Sequence, residues 1–206
     1  MDVLLKYFSD LTQTQQQQFE LLGPLYTDWN AKINVISRKD IENLYEHHVL
    51  HSLAITKLIR FKEGTNIIDV GTGGGLPGIP LAIMCPDVEF CLVDSVKKKI
   101  MVAQDVARAI GLKNCTFIND RVENIHGKYY FIVSRAAMPM GDLIKFTRNL
   151  CKREGHNGMP NGYICLKGGD LREELSPYKN KAEITALSSF FEEEYFRTKK
   201  IVYIPY

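Results

Sequence analysis

At 206 residues, 45% hydrophobic and 24% charged, the chain is long enough to bury one real core and has the size of a single domain. Its formal charge of +2, with the excess in residues 131–206 where twelve Lys and Arg meet nine Asp and Glu, permits contact with a polyanion without demanding one. Five cysteines without a CxxC pair exclude a disulfide framework and a zinc ribbon. With no basic-then-apolar leader and no window near the ~18 apolar residues of a membrane span, the composition predicts a soluble protein of a reducing compartment, the cytoplasm.

Residues 1–60 carry helical spacing: Leu4, Leu5 and Phe8, then Phe19, Leu22, Leu25, Tyr26 and Trp29, then Ile41, Leu44, Leu53, Ile55 and Leu58. They predict an N-terminal helical extension ahead of a main unit over 61–206, the whole forming one globular body. Within the extension, QTQQQQ at 13–18 reads as the solvated face of a helix. YEHHVLH would set His47 and His51 on one helical face, but no third ligand with a supporting shell is near, so packed or capping histidines are expected and no metal. From Asn66 the texture changes to short β-prone runs: NIIDV, EFCLVD, CTFIN, YFIVSR and YICLK, then EITALSSFF and TKKIVYIPY. The first five alternate with helical stretches such as 96–111 and 142–153, the pattern of right-handed βαβ units and a parallel sheet. The last two are joined by EEEYFR, too short for a crossover helix, and predict an antiparallel hairpin at one edge of a mostly parallel seven-stranded α/β sheet.

The stretch NIIDVGTGGGLPGIP, 66–80, packs five glycines and two prolines behind the first strand. In such a sheet, ligands bind beyond the carboxyl ends of the strands, where glycines let the backbone turn sharply and come close to a ligand. Gly71, Gly73 and Gly75 form one candidate cradle. GGGLPG also fits GxGxxG at Gly73, Gly75 and Gly78, although Asp69 stands where a dinucleotide fold usually has an apolar residue. Asp94, closing the second strand, is placed to accept hydrogen bonds from both hydroxyls of a ribose, and equally to cap the next helix. Such an acid serves nicotinamide and S-adenosylmethionine enzymes alike. NDRVENI (119–125) follows the third strand, where a nucleoside site reads the base, and Val122 and Glu123 are the candidates there; an Arg121 to Glu123 surface pair is the plainer reading. VSRAAMP (133–139) ends the fourth strand, and Arg135 sets a planar cation beside the reacting end of the cleft or forms a strand-end ion pair.

DVGTGGGLPGIPLAI, LVDSVKKK, DRVENI, SRA and LKGG, with WNAKINVIS and YEHHVLHSL upstream, resemble the small-subunit ribosomal RNA guanine-N7 methyltransferase family, known as RsmG or GidB, over nearly the whole chain. GLPGIPLA is the most specific part. The resemblance implies a Rossmann-like class I S-adenosylmethionine-dependent methyltransferase fold, S-adenosyl-L-methionine as cofactor, and small-subunit (16S) rRNA or a ribosomal particle as the partner of a monomeric cytoplasmic enzyme. Matched position by position, it puts cofactor contacts on Gly71, Leu76, Val122, Glu123 and Arg135, with Asp94 in the ribose role. The family's usual Lys-Arg after the second strand is Lys98-Lys99 here, which keeps charge for a phosphate but loses the guanidinium fork. His51 stands where an Asp often precedes Ser-Leu.

What the sequence lacks agrees with this. Methylation at C5 of a pyrimidine needs a cysteine nucleophile, commonly after proline, whereas the order here is Cys85-Pro86. Exocyclic amines are commonly served by an Asn/Asp-Pro-Pro-aromatic loop after the fourth strand, and SRAAMP stands there instead. Guanine N7 has an available lone pair and no proton, so positioning suffices and no catalytic acid or base is expected. Lys98, Lys99 and Lys167 lead the candidate phosphate contacts, with Lys97, Lys145, Arg148, Lys152 and Arg153 behind them; a solvated helix face is the alternative for each. YYF (129–131) and FF (190–191) read as core, and REGHNGMPNGY (153–163) as a loop placed near the RNA side. The glycine loop and acid spacing alone stop at a nucleotide-cofactor enzyme. A methyltransferase of another substrate, an NAD-dependent oxidoreductase and a non-catalytic RNA-binding module are the competing readings.

Overall fold

A computed structural model describes residues 1–206. Its seven strands, β1 (Asn66–Val70), β2 (Glu89–Val93), β3 (Cys115–Ile118), β4 (Phe131–Arg135), β5 (Gly162–Gly168), β6 (Glu183–Ala186) and β7 (Lys199–Pro205), form one sheet in the order β3-β2-β1-β4-β5-β7-β6. Strands β1 to β5 pair in parallel, and β7 runs antiparallel between β5 and β6. The hairpin expected at one edge is therefore present. The strand order reverses between β1 and β4, and that switch point opens a crevice at the carboxyl end of the sheet.

The six α-helices are α1 (Asp2–Tyr7), α2 (Gln13–Lys32), α3 (His51–Leu58), α4 (Gly78–Met84), α5 (Lys97–Ala109) and α6 (Met140–Thr147). A parallel strand is covered on both faces, so its apolar run is continuous, and successive residues feed opposite cores. Ile67, Phe90, Leu92 and Phe131 pack with α1 to α5 in a core of 38 buried residues; Ile68, Cys91, Val93 and Ile132 pack with α6 and its neighbouring turns in a core of 17. The larger core takes in Leu4, Phe19, Leu22, Tyr26, Leu50 and Leu53, so the first sixty residues form one wall of the sheet's own interior.

Local chemistry sets several element boundaries differently from the sequence reading. The glutamine run is only half solvated: Gln15 Nε2 donates to Ile83 O at 3.0 Å and Gln18 Nε2 to Ile110 O at 3.0 Å, docking α2 on the carboxyl ends of α4 and α5. Gln15 also completes a capping box with Thr12. The helix expected over 142–153 stops at Thr147 and is followed by a 3-10 turn, Arg148–Leu150. EITALSSFF keeps only four strand residues, because the chain turns at Leu187–Ser189, where Ser189 Oγ donates to Ala186 O at 2.6 Å. The loop before β5 lies at the amino end of the sheet, away from the crevice, where Asn157 Oδ1 accepts from Lys62 N and Thr65 Oγ1. Lys152 and Arg153 follow Cys151, which bridges to Tyr129 just ahead of β4, so they share that remote end. Phe131 and Phe191 are core, as the aromatic runs predict. No helix is long and apolar enough to cross a membrane.

Candidate active site

The crevice at the switch point has a volume of about 500 Å³ and is lined by the turn after β1, the end of β2, the turn after β3 and the segment following β4. Gly71, Asp94, Val122, Glu123 and Arg135, five of the positions predicted from sequence, come together there. Gly71 has φ of 70°, and a Cβ on it would overlap the Ala137 methyl, so only glycine lets β1 turn out beneath the cleft.

Asp94 is half-buried at the end of β2. Its Oδ2 accepts the Gly73 N–H at 2.9 Å, and its Oδ1 accepts the Val96 N–H at 2.8 Å at the start of α5. The ribose and helix-start roles weighed for this acid are thus compatible, since an ionised carboxylate has about four acceptor positions and two are spent. Gly73 shapes the site through this bond rather than by lining the cleft. Gly75 and Leu76 do not line it either: a Cβ on Gly75, whose φ is 107°, would strike Ile79, and Leu76 is buried in the larger core. Both act from behind the loop. Tyr26, fully buried, supports the same loop by donating its hydroxyl to Gly74 O at 2.8 Å.

Behind the glycine turn sits Asp69. Its Oδ2 accepts from Thr72 Oγ1 at 2.6 Å and from Gly78 N at 2.8 Å, tying both ends of the loop to β1. Its Oδ1 is buried without a partner, and burial pushes the carboxyl up to about 7 against the opposing pull of those two hydrogen bonds. Beyond β4, Ala136 takes φ of 51°, uncommon for a residue with a Cβ, and turns Ala137 and Met138 into the cleft wall.

Arg135 forms no ion pair, the charges of Asp69 and Asp40 reaching it only from a distance, and its one side-chain hydrogen bond runs from Nη1 to His48 Nδ1 at 2.9 Å. His48 Nε2 is 2.7 Å from Asp40 Oδ2, and His47 Nδ1 is 2.6 Å from Asp40 Oδ1. Burial, helped by the charge of Arg135, pushes His48 down to about 4, so the imidazole is neutral. Burial works to raise the Asp40 carboxyl, and hydrogen bonds from His47, Asn43 and His48 outweigh it and hold it below its ordinary value. His51 is buried against Tyr195 and Phe196, and burial followed by the Arg135 charge lowers it to about 3. The histidines noticed in YEHHVLH are thus occupied with Asp40, Arg135 and Tyr195. Sequence reasoning missed Asp40 and the bond between His48 and Arg135, because partners 87 residues apart leave no local signal.

The basic candidates divide. Lys99 lines the cleft, and Lys98 is exposed in the same first turn of α5 without an acidic partner. Lys167 is different from what was expected. Its ammonium is nearly buried, 2.8 Å from Glu174 Oε1 and 2.7 Å from Met138 O, so two of its three donors brace the cleft wall and its charge is paired with an acid. Arg121 and Glu123 form no ion pair with each other and both line the cleft.

A seven-stranded sheet of this order, with its glycine turn and strand-end acid at the switch point, has the architecture of Rossmann-like S-adenosylmethionine-dependent methyltransferases. Solved structures agree on the fold: the precorrin-6y C5,15-methyltransferase of Geobacter metallireducens superposes with a TM-score of 0.57 at 10% identity over 84% of this chain and 92% of that one. A SAM-dependent methyltransferase from Aquifex aeolicus gives 0.55 at 14% identity over 79% and 92%. At the level of sequence, residues 15–199 match the model of the GidB family, described as rRNA small subunit methyltransferase G. The ribosomal RNA small subunit methyltransferase G of Bacteroides thetaiotaomicron is 60% identical over 98% of both chains, and that of Christiangramia forsetii 51% identical over 100% of this chain and 97% of its own. The chain belongs to this family of small-subunit rRNA methyltransferases.

Proposed function

We propose that the protein transfers a methyl group from S-adenosyl-L-methionine to N7 of a guanosine in small-subunit rRNA, in the cytoplasm, by orienting the reactants and without a general base. One observation supports the cofactor above the others: an acid with two acceptor positions left and a guanidinium without an acidic partner border one cleft. A vicinal diol at one end and a carboxylate at the other fit that donor and acceptor set. Asp94 would hold the ribose hydroxyls, Val122 and Glu123 the base, Gly71 would allow close backbone approach, and Arg135 would take the carboxylate. When bound, the cofactor supplies an electrophilic methyl on a sulfonium.

The carboxyls of the cleft argue against base catalysis. Asp94 already accepts two backbone N–H groups and its remaining acceptor positions are assigned to the ribose, Glu123 is assigned to the base, and Asp120 is held below its ordinary value by hydrogen bonds from Asn124 and the Arg121 N–H. Asp69, the carboxyl raised to near neutrality, is fully buried and does not line the cleft. Guanine N7 needs none of them as a base, and fixing two reactants in line supplies on the order of 7 to 11 kcal/mol. Lys98, Lys99 and Arg121, none of them ion-paired, are the cations at the cleft for RNA phosphates, which position the substrate without reading its sequence. Residues 1–60 serve as an extension carrying the loop and turn that bear on Arg135. Five free cysteines suit a reducing compartment.

The test is mass spectrometry of small-subunit rRNA from cells with and without the gene. Loss of one N7-methylguanosine, restored by the purified protein with S-adenosylmethionine, is expected. Unchanged N7-methylguanosine at every small-subunit position refutes the substrate.

A further inference from the structure

Arg135 is an unusual cation. It reaches the cleft from the end of β4 with no acidic side chain in contact, and yet it is held, by the neutral Nδ1 of His48. A guanidinium has only donors, so Nδ1 must be the bare, accepting nitrogen, and the proton of the ring lies on Nε2. Nε2 then donates to Asp40 Oδ2 at 2.7 Å, and the directions of both hydrogen bonds are mutually consistent. We infer that His48, oriented by Asp40, is a positioning residue that fixes the Arg135 guanidinium for the carboxylate of the cofactor, an inference that rests on the cofactor reading above.

The local structure points the same way. His47 and His48 are neighbours in sequence and both reach the one carboxylate of Asp40, whereas adjacent residues of an α-helix face different ways. They do so from a π-helical turn, Leu44–Leu50, a conformation that concentrates at functional sites. The choice of histidine also has a chemical consequence. An acid in direct contact with Arg135 would neutralise it and compete with an incoming carboxylate. A neutral acceptor aims the guanidinium while leaving its charge, and four of its five donors, for the ligand.

Two probes separate this role from packing: S-adenosylhomocysteine, which has the amino-acid carboxylate, and 5′-methylthioadenosine, which keeps the adenine, ribose and sulfur but lacks it. Calorimetric titration of the wild-type protein, His48→Ala, His48→Asn, Asp40→Ala and Arg135→Ala with each probe provides the readout. Asparagine at 48 keeps an acceptor where Nδ1 stood. Affinity for S-adenosylhomocysteine should fall roughly tenfold or more in His48→Ala, Asp40→Ala and Arg135→Ala, while affinity for methylthioadenosine stays within about twofold of wild type. His48→Asn should recover most of the loss. Equal weakening of both probes, or wild-type affinity for S-adenosylhomocysteine in His48→Ala and Asp40→Ala, overturns the inference and leaves the cofactor reading standing. A wild-type protein that binds neither probe overturns both.

Discussion

Replacing Asp69 by Asn should change the pH dependence of stability in a direction opposite to that of a typical acidic residue. Most carboxylates are worth more to the fold when ionised; Asp69 is fully buried with one oxygen unpartnered, and its folded value is about 7 against an ordinary value near 4. Folding therefore favours the protonated form. The stabilisation is fully present below the unfolded value and is lost as pH rises toward the folded one, at about 1.4 kcal/mol per pH unit. Between pH 5 and pH 8 this amounts to roughly 3 kcal/mol, two pH units of it before the carboxyl titrates at about 7. Asparagine retains an oxygen for Thr72 and Gly78 but does not ionise. Because His48 and His51 oppose this trend below pH 6.5 or so, the quantity to measure is the difference between wild type and Asp69→Asn in urea unfolding at pH 5 and pH 8. Wild type should lose about 3 kcal/mol relative to the variant across that interval. A constant difference, or one that grows in the wild type's favour as pH rises, would show that Asp69 is ionised in the folded protein and that the unpartnered oxygen is solvated.

Asp94→Ala removes the acceptor for Gly73 and Val96 as well as that proposed for the ribose, so calorimetry should show both S-adenosylhomocysteine and methylthioadenosine binding weakened by about a hundredfold, unlike the selective loss expected at His48. Lys98→Ala with Lys99→Ala should weaken rRNA binding and reduce the slope of log affinity against log salt by about 2, with turnover at saturating RNA preserved. Lys167→Ala should leave that slope unchanged and instead lower the melting temperature, because its ammonium is spent on Glu174 and Met138. His51→Phe should flatten the acid limb of the stability profile: a histidine held neutral at about 3 costs stability as pH falls below its ordinary value near 6.5, roughly 3 kcal/mol by pH 4.5, and phenylalanine keeps the edge contacts with Tyr195 and Phe196.

Legibility in the sequence followed the range of the interaction. The strand, glycine turn and Asp94 are set by spacing along 30 residues or so, because a βαβ unit brings the ends of successive strands side by side whatever surrounds them. For the same reason Gly71, Val122 and Arg135 fell into one cleft as expected. The ion pair of Lys167 was not legible because a strand-end lysine looks identical in sequence whether it faces solvent or an acid seven residues on that the fold curls back to it. The glutamine run looked solvated because a polar side chain that caps a neighbouring helix has the same composition as one that meets water. His48 was visible as one of three histidines expected to pack or cap; only the packing of the extension against β4 shows that its partner is Arg135.

The fold recurs in methyltransferases only 10% and 14% identical to this chain, so it does not account for the choice of acceptor. Three side chains of the extension set the turn behind the crevice and Arg135 beside it. Tyr26 holds Gly74 O, Asn30 Oδ1 receives the N–H groups of Val35 and Ile36 at 3.0 and 2.9 Å, and His48 holds Arg135. Tyr26 and His48 grip a backbone carbonyl and a charge at the carboxyl edge of the sheet, and Asn30 fixes the extension's own loop, where an apolar contact would tolerate sliding but a directional hydrogen bond does not. Val35 presses on Gly74, leaving no room for a Cβ there, so the loop carrying Arg38 and Lys39 is pinned directly against the glycine turn. A substitution of Val35 that loosens this contact should therefore disturb the glycine turn although Val35 itself does not line the cleft.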